Sequence, residues 1–339
     1  TFNISSFDQQ RKTEKPWIGI PRNKFIIPEI LLQKNTNFTV NKVITLHSKQ
    51  KTFINRIEKE IRDLSIKNKY PNKSIACNKR KTTPSRNKYL DTITKTVNHL
   101  KKSQLKKIVI SKIEEHTINS DFNTHRIINN MEQRYEDCFN FFIKLNKEDS
   151  FFGSSPEILL KKHKTKLSSL ALAGTSTKKK NLRNIKEIEE HRYVLNHIKS
   201  IFNDYCNNIK QNETDILTMD YAYHLNTRIK GDMKEESHIL DIIQDIYPTP
   251  ALSGYPKDEA IEQINNIESF DRGYYGGAIG FYNQKGDGSF FVPIRSALKR
   301  KNKLYIFAGG GITEKSESLK EWEETELKLK HIRSVIDLK

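Results

Sequence analysis

Behind Ser85, a residue suited to a helix N-cap, apolar side chains recur at Tyr89, Ile93, Val97 and Leu100, and this spacing predicts a helix. The same period predicts helices at "IKEIEEHRYVLNHIKSIFNDY", "ESHILDIIQDI", "KDEAIEQINNI" and "SLKEWEETELKLKHIRSVI". Between them lie runs rich in β-branched and aromatic residues, bounded by Gly, Asn or Lys pairs: "LKKIVIS", "CFNFFIKL", "EILLKK", "KLSSLALAG", "YYGGAIGFY", "SFFVPIRSAL" and "KLYIFAG". Each predicts a strand. The strands come in adjacent groups with helices interspersed. The expected class is therefore α+β, with large, mostly antiparallel β-sheets packed together and helices on the outside. Residues 1–84 carry only short apolar pieces, such as "FIIPEILL" and "VITLH", and are expected to be an N-terminal part of the same fold. Residues 85–339 are expected to hold the functional region, and no internal repeat is visible.

Composition adjusts this picture without overturning it. A chain of 339 residues can bury a sizeable core. The hydrophobic share of 35% is low because Lys and Asn are scattered through segments that remain well patterned. A net charge of +18 lies in the range of nucleic-acid binders, and a basic nucleic-acid-binding protein is the alternative of another class. The lysines, however, are spread over nearly every segment. No helix-turn-helix, zinc or aromatic-interleaved RNA motif accompanies them, so AT-rich codon usage accounts for the charge and no nucleic acid is expected as partner. An anionic small substrate would gain from the same field. Cys77, Cys138 and Cys206 are far apart and lack CxxC spacing, which reads as reduced thiols and a cytoplasmic setting. The start "TFNISSFDQQRKTEK" has no apolar core, and no run approaches the roughly 18 apolar residues needed to cross a bilayer. A soluble monomer or weak oligomer is expected, with the missing Met pointing to a trimmed start.

Several residues stand out against their surroundings. Glu190 is in helical register with Val194, Ile198 and Ile201, so a carboxylate heads an inward stripe; alone, it reads as a solvated residue at the core edge. Glu321, Glu324 and Lys328 share one face of the last helix, and alone read as a solvated face. Glu157 ends the loop "FFGSSPE" as it enters a strand. In "LKKIVIS", alternation puts Lys106 and Lys107 on opposite sides, so one of them looks toward whatever the sheet covers; the plainer reading is an edge strand blunted by charge. Arg295 sits in an apolar run, and Arg is rarely buried without an anionic partner. In "AGGGI", glycines after a strand allow backbone N–H groups to approach a ligand closely, although this is no GxGxxG nucleotide loop.

The phrases "KKIVIS", "FFGSSPE", "ALAGT", "EEHRYVLNHI", "YHLNTRIKG", "YPTPALSGYP", "FDRGYYGGAIGF", "IRSAL", "FAGGGI" and "EWEETELKLK" occur in one order from about residue 85 onward. Their wording and intervals resemble the chorismate-utilising enzymes, and within them most closely the isochorismate synthases. The resemblance implies a Mg²⁺-dependent isomerisation of chorismate, in which water adds at C2 as the C4 hydroxyl leaves. By motif position it implies Lys107 as the base that activates water and Glu157 as the acid that protonates the departing hydroxyl. Burial would favour the neutral form of each, as those roles require. Glu190 and Glu324 match the Mg²⁺ carboxylates. Gly174, Thr175, His224, Arg295, Gly311 and Lys328 match substrate-binding positions, with His224 otherwise a core histidine.

The resemblance also discriminates among relatives. Ala173 stands where aminodeoxychorismate synthases carry a nucleophilic Lys, which leaves water to attack. The lysine at 107 and the phrase "PTPALSG" point away from anthranilate synthases. Salicylate synthase, which goes on to eliminate pyruvate, shares the base, acid and metal positions and is the alternative reaction. Menaquinone and siderophore biosynthesis are the implied destinations of the product. Three departures stand out: Tyr247 in place of His, Lys112 in place of Arg, and "AGGGI" in place of "AGAGI".

Overall fold

The structure is a computed structural model that describes residues 1–28, 30–34, 40–45, 77–118, 122–219 and 222–338. The chain divides into two compact units, Thr1–Phe2 with Phe25–Lys73, and Asn3–Lys24 with Ser74–Lys339. In the smaller unit the described residues include an antiparallel hairpin, β3 (Ile30–Lys34) and β4 (Val40–Thr45), with Leu31 opposite Ile44. The remainder of the "VITLH" piece lies outside the described residues.

The described residues of the chain form two large antiparallel sheets. The first has nine strands: β11 (Cys206–Gln211), β13 (Ala222–Met233), β10 (Lys166–Ser176), β9 (Ile158–His163), β16 (Gly288–Phe291), β15 (Ala278–Tyr282), β1 (Phe2–Ser5) and β2 (Asn23–Ile26) in spatial order, with β12 (Asp215–Met219) paired to β13. The second has seven: β14 (Gly254–Tyr255), β6 (Lys107–Ile118), β18 (Lys303–Ile312), β17 (Ser296–Arg300), β8 (Ser150–Ser155) and β7 (Phe139–Lys144), with β5 (Cys77–Thr83) also paired to β6. The α+β class with antiparallel sheets is thus as expected. Strand β6 is buried along nearly its whole length, because the chain covers both of its faces.

Six α-helices are described: α1 (Arg86–Leu100), α2 (Thr124–Arg134), α3 (Ile185–Tyr205), α4 (Ile239–Ile246), α5 (Lys257–Ile267) and α6 (Ser318–Val335). Five follow the predicted segments; α2, which the sequence reading does not include, is polar along most of its length and buries Ile127 and Met131 one turn apart. Tyr89, Ile93, Val97 and Leu100 are the buried face of α1, and Ser85 is its N-cap, although the Ser85 side chain makes no capping hydrogen bond. Helix α3 lies on β10 and β13 and buries Val194, Ile198 and Phe202; α6 lies on β18 and buries Leu329, Ile332 and Val335.

One predicted strand is two. "SFFVPIRSAL" is broken at Val292–Arg295, where Pro293 has no N–H for a ladder and Arg295 adopts a left-handed φ of 49°. The break carries the chain from β16 in the first sheet to β17 in the second. A matching crossing runs from β8 to β9 through Pro156 and Glu157. The two crossings are hydrogen-bonded side by side: Val292 N–H donates to the Glu157 carbonyl at 3.0 Å, Ser154 N–H to the Arg295 carbonyl at 3.1 Å, and Ser155 Oγ to the Val292 carbonyl at 2.5 Å. Glu157 and Arg295 are therefore neighbours where two strands change sheets.

Candidate active site

A cavity of about 70 Å³ opens beside these crossings. Its walls include Glu157, Thr175, Glu190, His224, Arg295, Gly311 and Lys328. It shares Thr175, Arg295 and Lys328 with a larger cleft of about 820 Å³, which Glu187, Glu321 and Glu324 also line.

Lys107 opens β6 with no solvent exposure, while Lys106 is exposed. Its Nζ lies 3.1 Å from Glu190 Oε1 and has no hydrogen-bond partner. Glycine at 311 makes this approach possible. A Cβ there would lie 2.2 Å from Glu190 Oε1 and 2.9 Å from Lys107 Cε, so any side chain would push the pair apart.

Glu157 is only 3% exposed. Burial raises its carboxyl to about 8, against the opposing pull of Lys107, Lys328 and Arg295. Gly174 takes a left-handed φ of 78° at a register shift in β10, and the bulge sets Thr175 opposite His224 of β13. Thr175 Oγ1 and His224 Nδ1 are 2.9 Å apart. Burial first, and then the Arg295 and Lys328 charges, hold His224 down to about 3, so its ring is neutral. Its buried Nε2 has no hydrogen-bond partner. Gly174 does not line the cavity; a Cβ there would meet the Glu187 carbonyl at 2.8 Å, so this glycine seats α3 against β10.

The first turns of α3 and α6 bring four carboxylates together. Glu190 and Glu324 are the two expected. Glu187 and Glu321 join them, three residues earlier on each helix, and Glu321 is buried at 1% exposure rather than lying on a solvated face. Burial raises Glu187 to about 7, with the Glu190 and Glu324 charges adding to it. Burial raises Glu321 to about 7 as well, helped by Glu324. Burial would raise Glu324 too, but Lys328 and Lys186 outweigh it and hold that carboxyl down to about 2. Lys328 Nζ stands 2.7 Å from Glu324 Oε1 and donates to the Gly309 carbonyl at 2.8 Å.

This donor set suits a hard divalent cation. It offers only carboxylate oxygen, and the buried Glu321 Oε2 has no hydrogen-bond partner. Among the described residues no three His, Cys, Asp or Glu side chains already converge on one ion position. Beside Lys328 and Lys107, a third ammonium joins the cluster: Lys186, whose Nζ lies 2.8 Å from Glu321 Oε1 and 3.6 Å from Glu187 Oε1. From the sequence, Lys186 and Glu187 are passed over and Glu321 is taken as part of a solvated face. The signal available was the i, i+3 Glu pair repeated near the start of two helices.

The departing positions also find places. Tyr247 is buried and donates its hydroxyl to the Ser6 carbonyl at 2.6 Å. Lys112 is buried beneath α6, its Nζ 2.6 Å from Glu326 Oε1 and 3.3 Å from the centre of the Trp322 ring.

Comparison with known proteins agrees with this geometry. Residues 1–337 match the family described as chorismate binding enzyme. The vibriobactin-specific isochorismate synthase of Vibrio cholerae is 28% identical over 264 residues, covering 74% of this chain and 67% of that protein. Isochorismate synthase MenF of Bacillus subtilis is 30% identical over 260 residues, covering 73% of this chain and 55% of that protein. The match thus spans between about half and two thirds of these relatives' length. In structure, MenF, the menaquinone-specific isochorismate synthase from Escherichia coli, superposes with a TM-score of 0.82 at 21% identity, over 99% of this chain and 78% of that one, which shows the shared fold.

Proposed function

The chain belongs to the chorismate-binding enzymes, and from that premise we propose that it converts chorismate to isochorismate, adding water at C2 as the C4 hydroxyl departs. The observation that carries this reading is a buried carboxyl, Glu157, in the wall of a cavity that Arg295 and Lys328 also line. Glu157, raised to about 8, can give its proton to a departing hydroxyl, which an ordinary carboxylate cannot. Lys107 is the complementary group. As the free amine it would take a proton from water, and Glu190 beside it would stabilise the ammonium that results.

The remaining residues bind and orient. Arg295 and Lys328 bring two positive charges to the cavity wall, as a dicarboxylate requires. The neutral His224 ring, held at Nδ1 by Thr175, lines the cavity with Nε2 unpartnered, and that nitrogen would meet a substrate oxygen. Ala173 lines the same cavity and offers no amine, so the attacking group is left to be water. Mg²⁺ is the proposed cofactor, held by Glu190 and Glu324 with Glu187 and Glu321 beside them; when bound it would supply positive charge to the substrate's ring carboxylate.

Both menaquinone and siderophore biosynthesis are proposed destinations for the product. A reducing, cytoplasmic setting is proposed as well, supported by the buried free thiol of Cys206. A monomer or weak oligomer is the proposed state. The test is to incubate the protein with chorismate, with and without Mg²⁺, and identify products by chromatography. Isochorismate formed only with Mg²⁺ is expected; salicylate, anthranilate or unconsumed chorismate would refute the proposal.

A further inference from the structure

Four carboxylates facing one another across two helix starts would repel strongly without a counter-charge. Lys328 and Lys107 stand beside Glu324 and Glu190, and between Glu187 and Glu321 the counter-charge is Lys186. The residue precedes Glu187 on α3 and reaches across to α6, where its ammonium lies 2.8 Å from Glu321 Oε1. We infer that Lys186 is a built-in counter-ion of the carboxylate cluster, which occupies the cation's place in the metal-free protein and swings out when a divalent cation binds.

Two further observations point the same way. Glu321 Oε2 is buried without a hydrogen-bond partner, so Lys186 satisfies only part of what the cluster offers a cation. And Lys186 is not sealed in. Its side chain is 17% exposed and lines the 820 Å³ cleft, which gives a displaced ammonium a route to water. The energetic consequence is a competition. Docked Lys186 stabilises the metal-free fold by neutralising the cluster, and it lowers apparent metal affinity in proportion to the share of molecules in which it is docked. The inference rests on the metal-dependent reading above, but it concerns binding rather than turnover.

The test uses the full chain stripped of metal, with Mn²⁺ as the probe and free Mn²⁺ read by electron paramagnetic resonance. Lys186→Met is expected to bind Mn²⁺ more tightly than the parent chain, by about fivefold or more. The metal-free variant should also melt at a lower temperature and gain more from added Mn²⁺. A second measurement needs no substitution: reductive methylation of the unaltered chain with labelled formaldehyde, read by mass spectrometry. Lys186 should be methylated slowly without metal and faster once Mg²⁺ is present. Equal or weaker Mn²⁺ binding by Lys186→Met, or methylation of Lys186 that Mg²⁺ leaves unchanged or slows, would overturn the inference. Neither readout depends on isochorismate being formed, so a failure of the proposed reaction would show separately in the product assay.

Discussion

Lys106 and Lys107 are neighbours in the chain, yet the first is exposed and the second has no contact with solvent. Substitution should therefore separate them. Lys107→Ala is expected to lower turnover by about 10²–10⁴-fold, the usual contribution of a general base, and Lys106→Ala to leave it within about twofold. Steady-state rates with chorismate decide it; an inactive Lys106→Ala beside an active Lys107→Ala would remove Lys107 from the mechanism. Glu157 makes a pH prediction whose sign follows from burial. Its carboxyl is raised from 4.5 to about 8, so the folded chain holds the neutral acid through the neutral range. The stability this neutral group contributes is fully present below the unfolded value and is lost as pH rises through about 8. The parent enzyme's rate should fall above about pH 8, whereas Glu157→Gln, which has no proton to give, should be slow at every pH and lack that slope in its unfolding free energy. Lys107, Glu157 and Arg295 are legible in sequence because each is a charge set in an apolar or junction context. Lys186 and Glu187 are not, since in "IKEIEEH" they look like the charged first turn of any surface helix.

At the level of elements, the α6 helix carries Glu321, Glu324 and Lys328 on the side facing the site, while Lys112 of β6 supports it from beneath. Glu326 is shared: it pairs with Lys112 at 2.6 Å and with Arg80 and Arg333 at 3.0 Å each. The two ends of the Lys112–Glu326 pair should thus respond unequally. Glu326→Leu strands a buried ammonium and is expected to cost about 3–5 kcal/mol in urea unfolding. Lys112→Met leaves Glu326 with two arginines and lays an apolar side chain on Trp322, so its cost should stay within about 1 kcal/mol. Equal losses from both would contradict this account of α6. Most helices are legible because their buried faces keep a clean period, as Tyr89, Ile93, Val97 and Leu100 do. The break inside "SFFVPIRSAL" is not, because both halves have strand composition and only the tertiary fold sends them to different sheets.

On the scale of the whole molecule, the site exists because two chain crossings and two helix starts, far apart in sequence, converge beside β6. Residue order alone could announce the members but not their meeting: nothing local to Glu157 shows that the Val292–Arg295 break runs alongside it. The net charge of +18 is equally silent on location, its lysines being spread over nearly every segment, whereas Arg295 and Lys328 line a small cavity. What this convergence is proposed to accomplish is the attack of water from one side of a ring as a hydroxyl leaves another carbon, with Lys107 and Glu157 as the two proton carriers. The direct measurement is to run the reaction with Mg²⁺ in ¹⁸O-enriched water and locate the label in the product by mass spectrometry and NMR. The account predicts one ¹⁸O per isochorismate, carried at C2. Isochorismate without label, its hydroxyl having moved within the molecule, would contradict it.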